Sequence, residues 1–206
     1  MIPKINLQSI ACTVALILAS CSSIRVAQQV QAGRNALQSG RPETALAYLI
    51  PAAETDPNYE IPYRFPENVL TYLGRAYYET GKYPEARSVL EKGVGRNRND
   101  NLAKVYLGLT LMRLGQEQQG RKAIEGGLRG IYDDLEFIAA DNVNGIYWDP
   151  ARNIRSTIES ALSSGIPAAV LVERSEQIAR SFDEEIDKAR RDEGRFRAGR
   201  GDGGGS

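Results

Sequence analysis

Two stretches of this chain copy each other at a spacing of 34 residues. Tyr72-Leu73-Gly74-Arg75-Ala76-Tyr77-Tyr78-Glu79-Thr80-Gly81 returns as Tyr106-Leu107-Gly108-Leu109-Thr110-Leu111-Met112-Arg113-Leu114-Gly115. Each stretch reads as a helix ended by a turn glycine. A unit this small cannot bury its own apolar face, so copies must stack to form one core. A third copy lies upstream, where Ala32-Gly33, Ala36, Gly40, Ala45, Leu49, Ala52 and Pro57 fall on matching positions at an offset of 41. The seven extra residues are Glu60 to Pro66, and Pro62 and Pro66 predict an extended loop there. Small residues at Gly74, Gly108, Ala45 and Ala86 allow helices to approach closely. Large ones at Tyr77, Leu90, Leu111 and Ile124 fill the remaining space.

The period, the Leu-Gly pair, the aromatic, the turn glycine and the following small and large positions resemble the tetratricopeptide repeat. The copies span 26–59, 67–100 and 101–134. Departures from the family pattern are Gln29 and Leu70 where Trp is common, Arg98 in place of the terminal Pro, Lys104 at the first aromatic position, and Gly120 and Gly127 where Ala is usual. The resemblance implies an all-α solenoid of three helix pairs with C-terminal capping helices. It also implies a concave groove lined by the first helix of each pair, presenting Val30, Arg34 and Leu37, then Asn68, Thr71, Arg75 and Tyr78, then Leu102, Val105, Leu109 and Met112. Of these, Arg34, Asn68, Thr71, Arg75, Tyr78, Leu102, Val105, Leu109 and Met112 are the expected partner-binding residues. Thr71, Arg75, Val105 and Leu109 depart from the subset of the family that captures C-terminal carboxylates. A groove with Arg34, Arg75 and Tyr78 on one side and apolar side chains on the other suits an amphipathic segment. The alternative is that Trp148 and the following helices fold back and fill it.

The N-terminus carries a separate signal. Lys4 is a positive n-region, Ile10 to Leu18 an apolar core, and Ala19-Ser20 the small residues a signal peptidase requires. Leu18-Ala19-Ser20-Cys21 resembles the bacterial lipobox. That resemblance implies cleavage of residues 1–20, palmitate and further acyl chains on Cys21, a short lipidated linker over 21–25, and stable attachment to one leaflet. Ser22 after the cysteine resembles outer-membrane sorting, with the body facing the periplasm. A cleaved secretory signal and an uncleaved anchor are the alternatives, although the apolar run is about half of the roughly 20 residues a spanning helix needs.

Composition removes whole classes of chemistry. The chain has 26 Lys and Arg against 26 Asp and Glu, two cysteines and no histidine. Without histidine, and with Cys21 the only cysteine left after processing, Ser-His-Asp and Cys-His catalysis, His/Cys zinc sites and structural disulfides are not expected. Neutral balance argues against nucleic acid, which needs clustered positive charge. No metal or cofactor is expected beyond the lipid.

Beyond the repeats, residues 135–166 read as a capping segment with short helices. Asp133-Asp134 could cap a helix over Leu135 to Ala140. Asp141-Asn142-Val143-Asn144-Gly145 is a turn that only loosely fits a calcium loop. Asp149 as N-cap and Pro150 at the first helical position open a helix carrying Ile154, Ile158 and Leu162, closed by Ser163-Ser164-Gly165. Trp148 reads as core or cap, or else as a partner hot spot. Residues 167–198 form one long charged helix with a stripe of Val170, Leu171, Ile178, Phe182, Ile186 and Ala189. Its acid and base residues four apart are Glu176 with Arg180, Glu184 with Lys188, Asp187 with Arg191, and Glu193 with Arg197. Its first half is expected to pack on the body, with docking to a partner or a homodimer through 167–198 as the alternative. The Gly-rich tail 199–206 should be disordered.

Together these features point to a non-enzymatic, membrane-anchored scaffold or adaptor of the bacterial cell envelope that holds an envelope protein or peptide. A spacer dimerising through the last helix, or a hydrolase using Asp133 and Asp134, are the alternatives. The lipobox reading predicts that metabolic palmitate labelling falls to background in Cys21→Ser and persists in Cys12→Ser; label retained by the first variant would refute it.

Overall fold

The computed structural model of the chain describes residues 7–61, 65, 67–140 and 145–201, with side chains over 23–192 within those spans and at 195. Pro62, Pro66, the 141–144 turn, the Cys21 side chain and residues 202–206 lie outside the described residues.

The fold is all-α. Among the described residues there are eight helices: α1 (Leu7–Gln38), α2 (Pro42–Thr55), α3 (Val69–Glu79), α4 (Tyr83–Arg96), α5 (Asn101–Arg113), α6 (Glu117–Ala139), α7 (Asn153–Ala161) and α8 (Ala168–Gly201), with one 3-10 turn at Gly145–Tyr147. The pairs α1–α2, α3–α4 and α5–α6 stack in chain order, each packing on the next. The same chemistry makes each hairpin. Gly40, Gly81 and Gly115 hold φ of +65°, +76° and +76°, a left-handed backbone that only glycine adopts cheaply. Each turn closes with the same two bonds, as in Gly115 N–H to Met112 O at 3.1 Å and Gln116 N–H to Leu111 O at 2.9 Å. Pro42 and Pro84 then sit in the first turn of α2 and α4, where a missing N–H costs nothing.

Two side chains fix where α3 and α5 begin. Asn68 Oδ1 accepts from Leu70 N–H at 2.8 Å, and Asp100 Oδ1 accepts from Ala103 N–H at 2.8 Å. Asp100 Oδ2 also accepts from Asn68 N–H at 3.2 Å and Thr71 Oγ1 at 2.5 Å. One buried carboxylate thus caps a helix and ties the start of one pair to the next.

Gly120 and Gly127, departures from the family pattern, are what the α5–α6 contact requires. A Cβ on Gly108 would meet Ile124 N at 2.6 Å and Gly120 O at 2.7 Å; one on Gly127 would meet Asn101 O at 2.8 Å. Backbone touches backbone along this seam, so even alanine does not fit.

Four sequence expectations need correction. The helix expected over Leu135 to Ala140 is the end of α6, because Leu128, Ile131, Leu135 and Ile138 continue one buried stripe; Asp133 and Asp134 lie inside that helix rather than capping one. The helix expected from Pro150 starts at Asn153, since Asp149 and Arg152 both adopt positive φ. Asp149 still caps it, accepting from Ile154 N–H at 3.0 Å and Arg155 N–H at 3.1 Å. Residues 21–25, expected as a linker, are part of α1, and the backbone of α8 runs to Gly201, into the tail expected to be disordered.

The insertion at 60–66 is more than a spacer. Ile61 N–H donates to Glu67 O and Val69 N–H to Tyr59 O, both at 2.9 Å, pairing the two ends of the insertion. Phe65 is buried edge-on to Trp148, with ring centres 5.0 Å apart, and 5.1 Å from Phe182. Trp148 is fully buried and therefore belongs to the core.

The α5–α6 seam predicts opposite outcomes for two glycines of one hairpin. Gly108→Ala should cost about 1–3 kcal/mol through overpacking. Gly126→Ala, which meets nothing within 4 Å on the exposed side of α6, should gain about 0.5–1 kcal/mol from helix propensity. Urea midpoints of the two variants check both signs.

Candidate functional site

The concave face of the stack is occupied by the chain's own last helix. α8 lays Leu171, Ile178, Ala179, Phe182, Ile186 and Ala189, all of them buried, into one apolar core with α5, α6 and α7 and with Phe65, Tyr78 and Trp148, and meets α1 and α3 through polar side chains. Leu171 stands seven residues before Ile178, and Ile178, Phe182, Ile186 and Ala189 follow at three or four, the signature of one helix face seated in a groove. Beyond Ala189, Arg190, Arg191 and Arg195 are exposed and Asp192 is half-buried, in line with the fading apolar stripe.

The groove positions read from the repeat pattern are consequently not open surface, and their expected exposure is corrected. Arg34, Asn68, Thr71, Arg75, Tyr78, Leu102, Val105 and Leu109 are all buried, and Met112 alone is half-buried. Within that set the structure separates three roles. Asn68 and Thr71 serve the Asp100 hub between pairs. Leu102, Val105 and Leu109 belong to the apolar core shared with α6, α7 and α8. Arg34, Arg75 and Tyr78 make the polar contacts to α8. Met112 lines a cleft of about 380 Å³ between the end of α5 and the start of α8, with Arg113, Glu117, Ala169, Val172 and Glu173.

At the centre of the contact is Asp183, a buried carboxylate that the sequence pattern did not single out. Asp183 Oδ1 accepts from Arg34 Nη2 at 2.9 Å and Oδ2 from Arg75 Nη1 at 3.0 Å. Arg34 Nη1 lies 3.0 Å from Asp187 Oδ1, and Gln38 Nε2 donates to Asp187 Oδ2 at 2.6 Å. One turn along α3, Arg75 Nε donates to Glu79 Oε1 at 2.7 Å. At the other end of the groove Tyr78 donates to Glu176, whose Oε1 also lies 3.0 Å from Arg113 Nη2. Each pair thus presents one arginine, Arg34, Arg75 or Arg113, to a carboxylate of α8. Arg34 and Arg75 occupy the same repeat position, 41 residues apart. That equivalence was a legible clue: two inward-facing cations at one level of the groove require an anion between them.

Two of the four expected pairs along α8 are replaced by these cross-helix contacts, Lys188 pairs with Glu185 in place of Glu184, and Glu193 with Arg197 lies outside the described side chains. Glu176 reaches Arg113 rather than Arg180, and Asp187 reaches Arg34 rather than Arg191. Partners on another element are invisible to a rule that counts four residues along one helix.

Behind Asp183 lies a second layer. The Tyr72 hydroxyl is within hydrogen-bond distance of both Glu67 Oε2 and Asp183 Oδ1, the latter at 3.1 Å. A phenol has one hydrogen and cannot donate to both. A neutral Glu67 resolves the conflict by donating to Tyr72 Oη while Tyr72 donates to Asp183. The electrostatics agree: burial, followed by the charge of Asp183, pushes the Glu67 carboxyl up to about 8. Asp183 goes the other way. Burial alone would raise it, but the Arg34 and Arg75 charges outweigh burial and hold it below the ordinary carboxylate value. Asp100, buried and far from a cation, is pushed up to about 6.

These groups order helices. Among the described residues no cluster of His, Cys, Asp and Glu has the arrangement of a metal site. Asp133 and Asp134, the carboxylates considered for hydrolysis, stand on α6, where Asp134 accepts from Asn101 Nδ2 at 2.8 Å and holds the α5–α6 seam.

The comparison with protein families finds the tetratricopeptide repeat over residues 36–106, from the last turn of α1 into α5. No curated protein and no solved structure matches the chain. The matched family is a helical scaffold for protein–protein interaction, typically non-catalytic, and the paired helices described above have the architecture of such an array.

The opposed shifts give a signed pH prediction. Glu67 titrates near 8 when folded against an ordinary 4.5, so the stability tied to its proton is full below 4.5, declines as pH rises, and is lost above 8. Asp183, held low, stabilises above the ordinary carboxylate range and loses that contribution in acid. Urea titrations between about pH 7 and about pH 9, where Asp100 is already largely ionised, should therefore show the wild-type midpoint falling more steeply than that of Glu67→Gln. Parallel slopes would mean that Glu67 is ionised throughout.

Proposed function

We propose that this protein is a lipid-anchored adaptor of the bacterial cell envelope, attached through Cys21, facing the periplasm from the outer membrane, and holding a helical segment of another envelope protein against its concave face. The observation that carries the reading is that the concave face already holds a helix, with an arginine from each helix pair, Arg34 and Arg75 at equivalent repeat positions and Arg113 in the third pair, directed at carboxylates on that helix. A face built to accept an amphipathic helix in this manner is an interaction surface, in keeping with the repeat family found over 36–106. The lipobox at Leu18-Ala19-Ser20-Cys21 supports the anchor and the compartment. With α1 carrying both Cys21 and Arg34, the groove would start 13 residues from the lipid, about 20 Å along a helix. Tethering would then place a bound partner at the membrane surface.

Site-specific photocrosslinking in living cells tests this. A photoreactive residue replacing Met112, beside the cleft at the open end of the groove, should give an adduct with a separate envelope protein in the lipidated chain. The same replacement combined with Cys21→Ser should keep its helical content, fractionate as a soluble periplasmic protein, and lose most of that adduct. Equal adduct yield from the soluble form would sink the tethering; an intramolecular adduct to α8 alone in both would sink the adaptor reading.

A further inference from the structure

We infer that α8 is an exchangeable stand-in for the partner, and that the partner is an acidic amphipathic helix with the pattern of α8 itself. The inference rests on the adaptor reading above and names its ligand class. The groove specifies that helix in some detail. It takes carboxylates at the levels of Glu176, Asp183 and Asp187, spaced seven and four residues apart, which puts them on one flank of a helix. It takes apolar side chains at the levels of Leu171, Ile178, Phe182 and Ile186 on the adjoining flank. The complement is fixed in the stack: Arg34 and Arg75 at equivalent repeat positions, Arg113 one pair further on, with Tyr72 and Tyr78 between them.

Three features point to exchange rather than permanent closure. The contact is centred on ion pairs, whose cations were desolvated at a cost and whose anion a competing carboxylate can replace one for one. A helix with only apolar contacts offers no such equivalence. The tether is also short: residues 162–167 join α7 to α8, with Gly165 at φ +77°, so α8 competes at the high effective concentration of a segment in the same chain. An outside helix must exceed that, and a matched carboxylate pattern provides the specificity for doing so. Finally, the groove is already open at one end, where the cleft lined by Met112, Val172 and Glu173 lies beside the first turns of α8.

The probe is a fluorescent peptide with the sequence of residues 168–192, titrated into the full chain and read by anisotropy. The wild-type chain should bind it weakly. The Asp183→Asn chain, whose own helix no longer neutralises Arg34 and Arg75, should bind it at least tenfold more tightly, and the peptide carrying the same Asp→Asn change should bind neither chain. An Asp183→Asn chain that retains its helical content but binds the native peptide no better than wild type overturns the inference, as does equal binding of the two peptides. Hydrogen exchange on the wild-type chain provides an independent readout should that variant misfold. Amides of 171–189 should exchange together and at least tenfold faster than those of α3 and α5; exchange of α8 at the same rate as α5 means it leaves only on global unfolding and refutes the proposal. A wild-type dimer that the peptide splits would assign the groove to a second copy's α8 and overturn the outside partner. Each of these results is obtained on purified chain, so their failure leaves the crosslinking test of the adaptor reading unaffected.

Discussion

The Asp183 carboxylate between Arg34 and Arg75 is the contact on which the arrangement of this molecule depends. Each arginine comes from a different helix pair and has one further, half-buried carboxylate of its own, Asp187 at 3.0 Å from Arg34 and Glu79 at 2.7 Å from Arg75, but Asp183 is the one they share. Two guanidinium groups brought this close without the aspartate would repel each other in a medium that screens them poorly. With it, the first two pairs and the last helix are held in one register. The stabilisation gained over a purely apolar contact is small, because desolvation offsets most of the attraction. What the network supplies is position: a shift of α8 by one turn would set Asp183 away from both cations while leaving the apolar stripe nearly matched.

Much of the architecture could be read from residue spacing. The period, the three turn glycines and the positions of the six paired helices follow from patterns that local physics enforces, since a left-handed turn accepts glycine and a close crossing accepts only small side chains. The site was legible in part. Counting along the repeat picks out Arg34, Arg75 and Tyr78, which meet α8, but reads them as open surface, with the fold-back of the last helices as the alternative. What the count could not supply was the occupant. Asp183 sits beside Phe182 in a stripe otherwise read as apolar, and Glu176 and Asp187 have basic residues four positions away that offer an easier local explanation. Their actual partners lie 63 to 153 residues upstream in the chain, beyond the reach of any periodicity.

The two polar centres divide the work between local and global order. Asp100 joins neighbouring pairs through backbone N–H groups and the hydroxyl of Thr71, so it acts where the second and third units meet. The Glu67–Tyr72–Asp183 line instead links the start of the second repeat to the last helix. Phe65 does the same for the insertion through apolar contact with Trp148 and Phe182. Of the residues that break the repeat period, Ile61 thus pairs with the backbone of Glu67 and Phe65 supplies one core ring.

A stack of helix pairs on its own assembles through neighbours, and each unit can form as soon as it has been synthesised. The Arg34–Asp183 pair spans 149 residues, so this chain cannot complete its first unit until nearly its whole length is available. During synthesis the N-terminal pairs would carry two inward-facing cations with no counter-ion, and an apolar groove with nothing in it. Closure by α8 is therefore the last event of assembly, and it sets units that form independently into a common register.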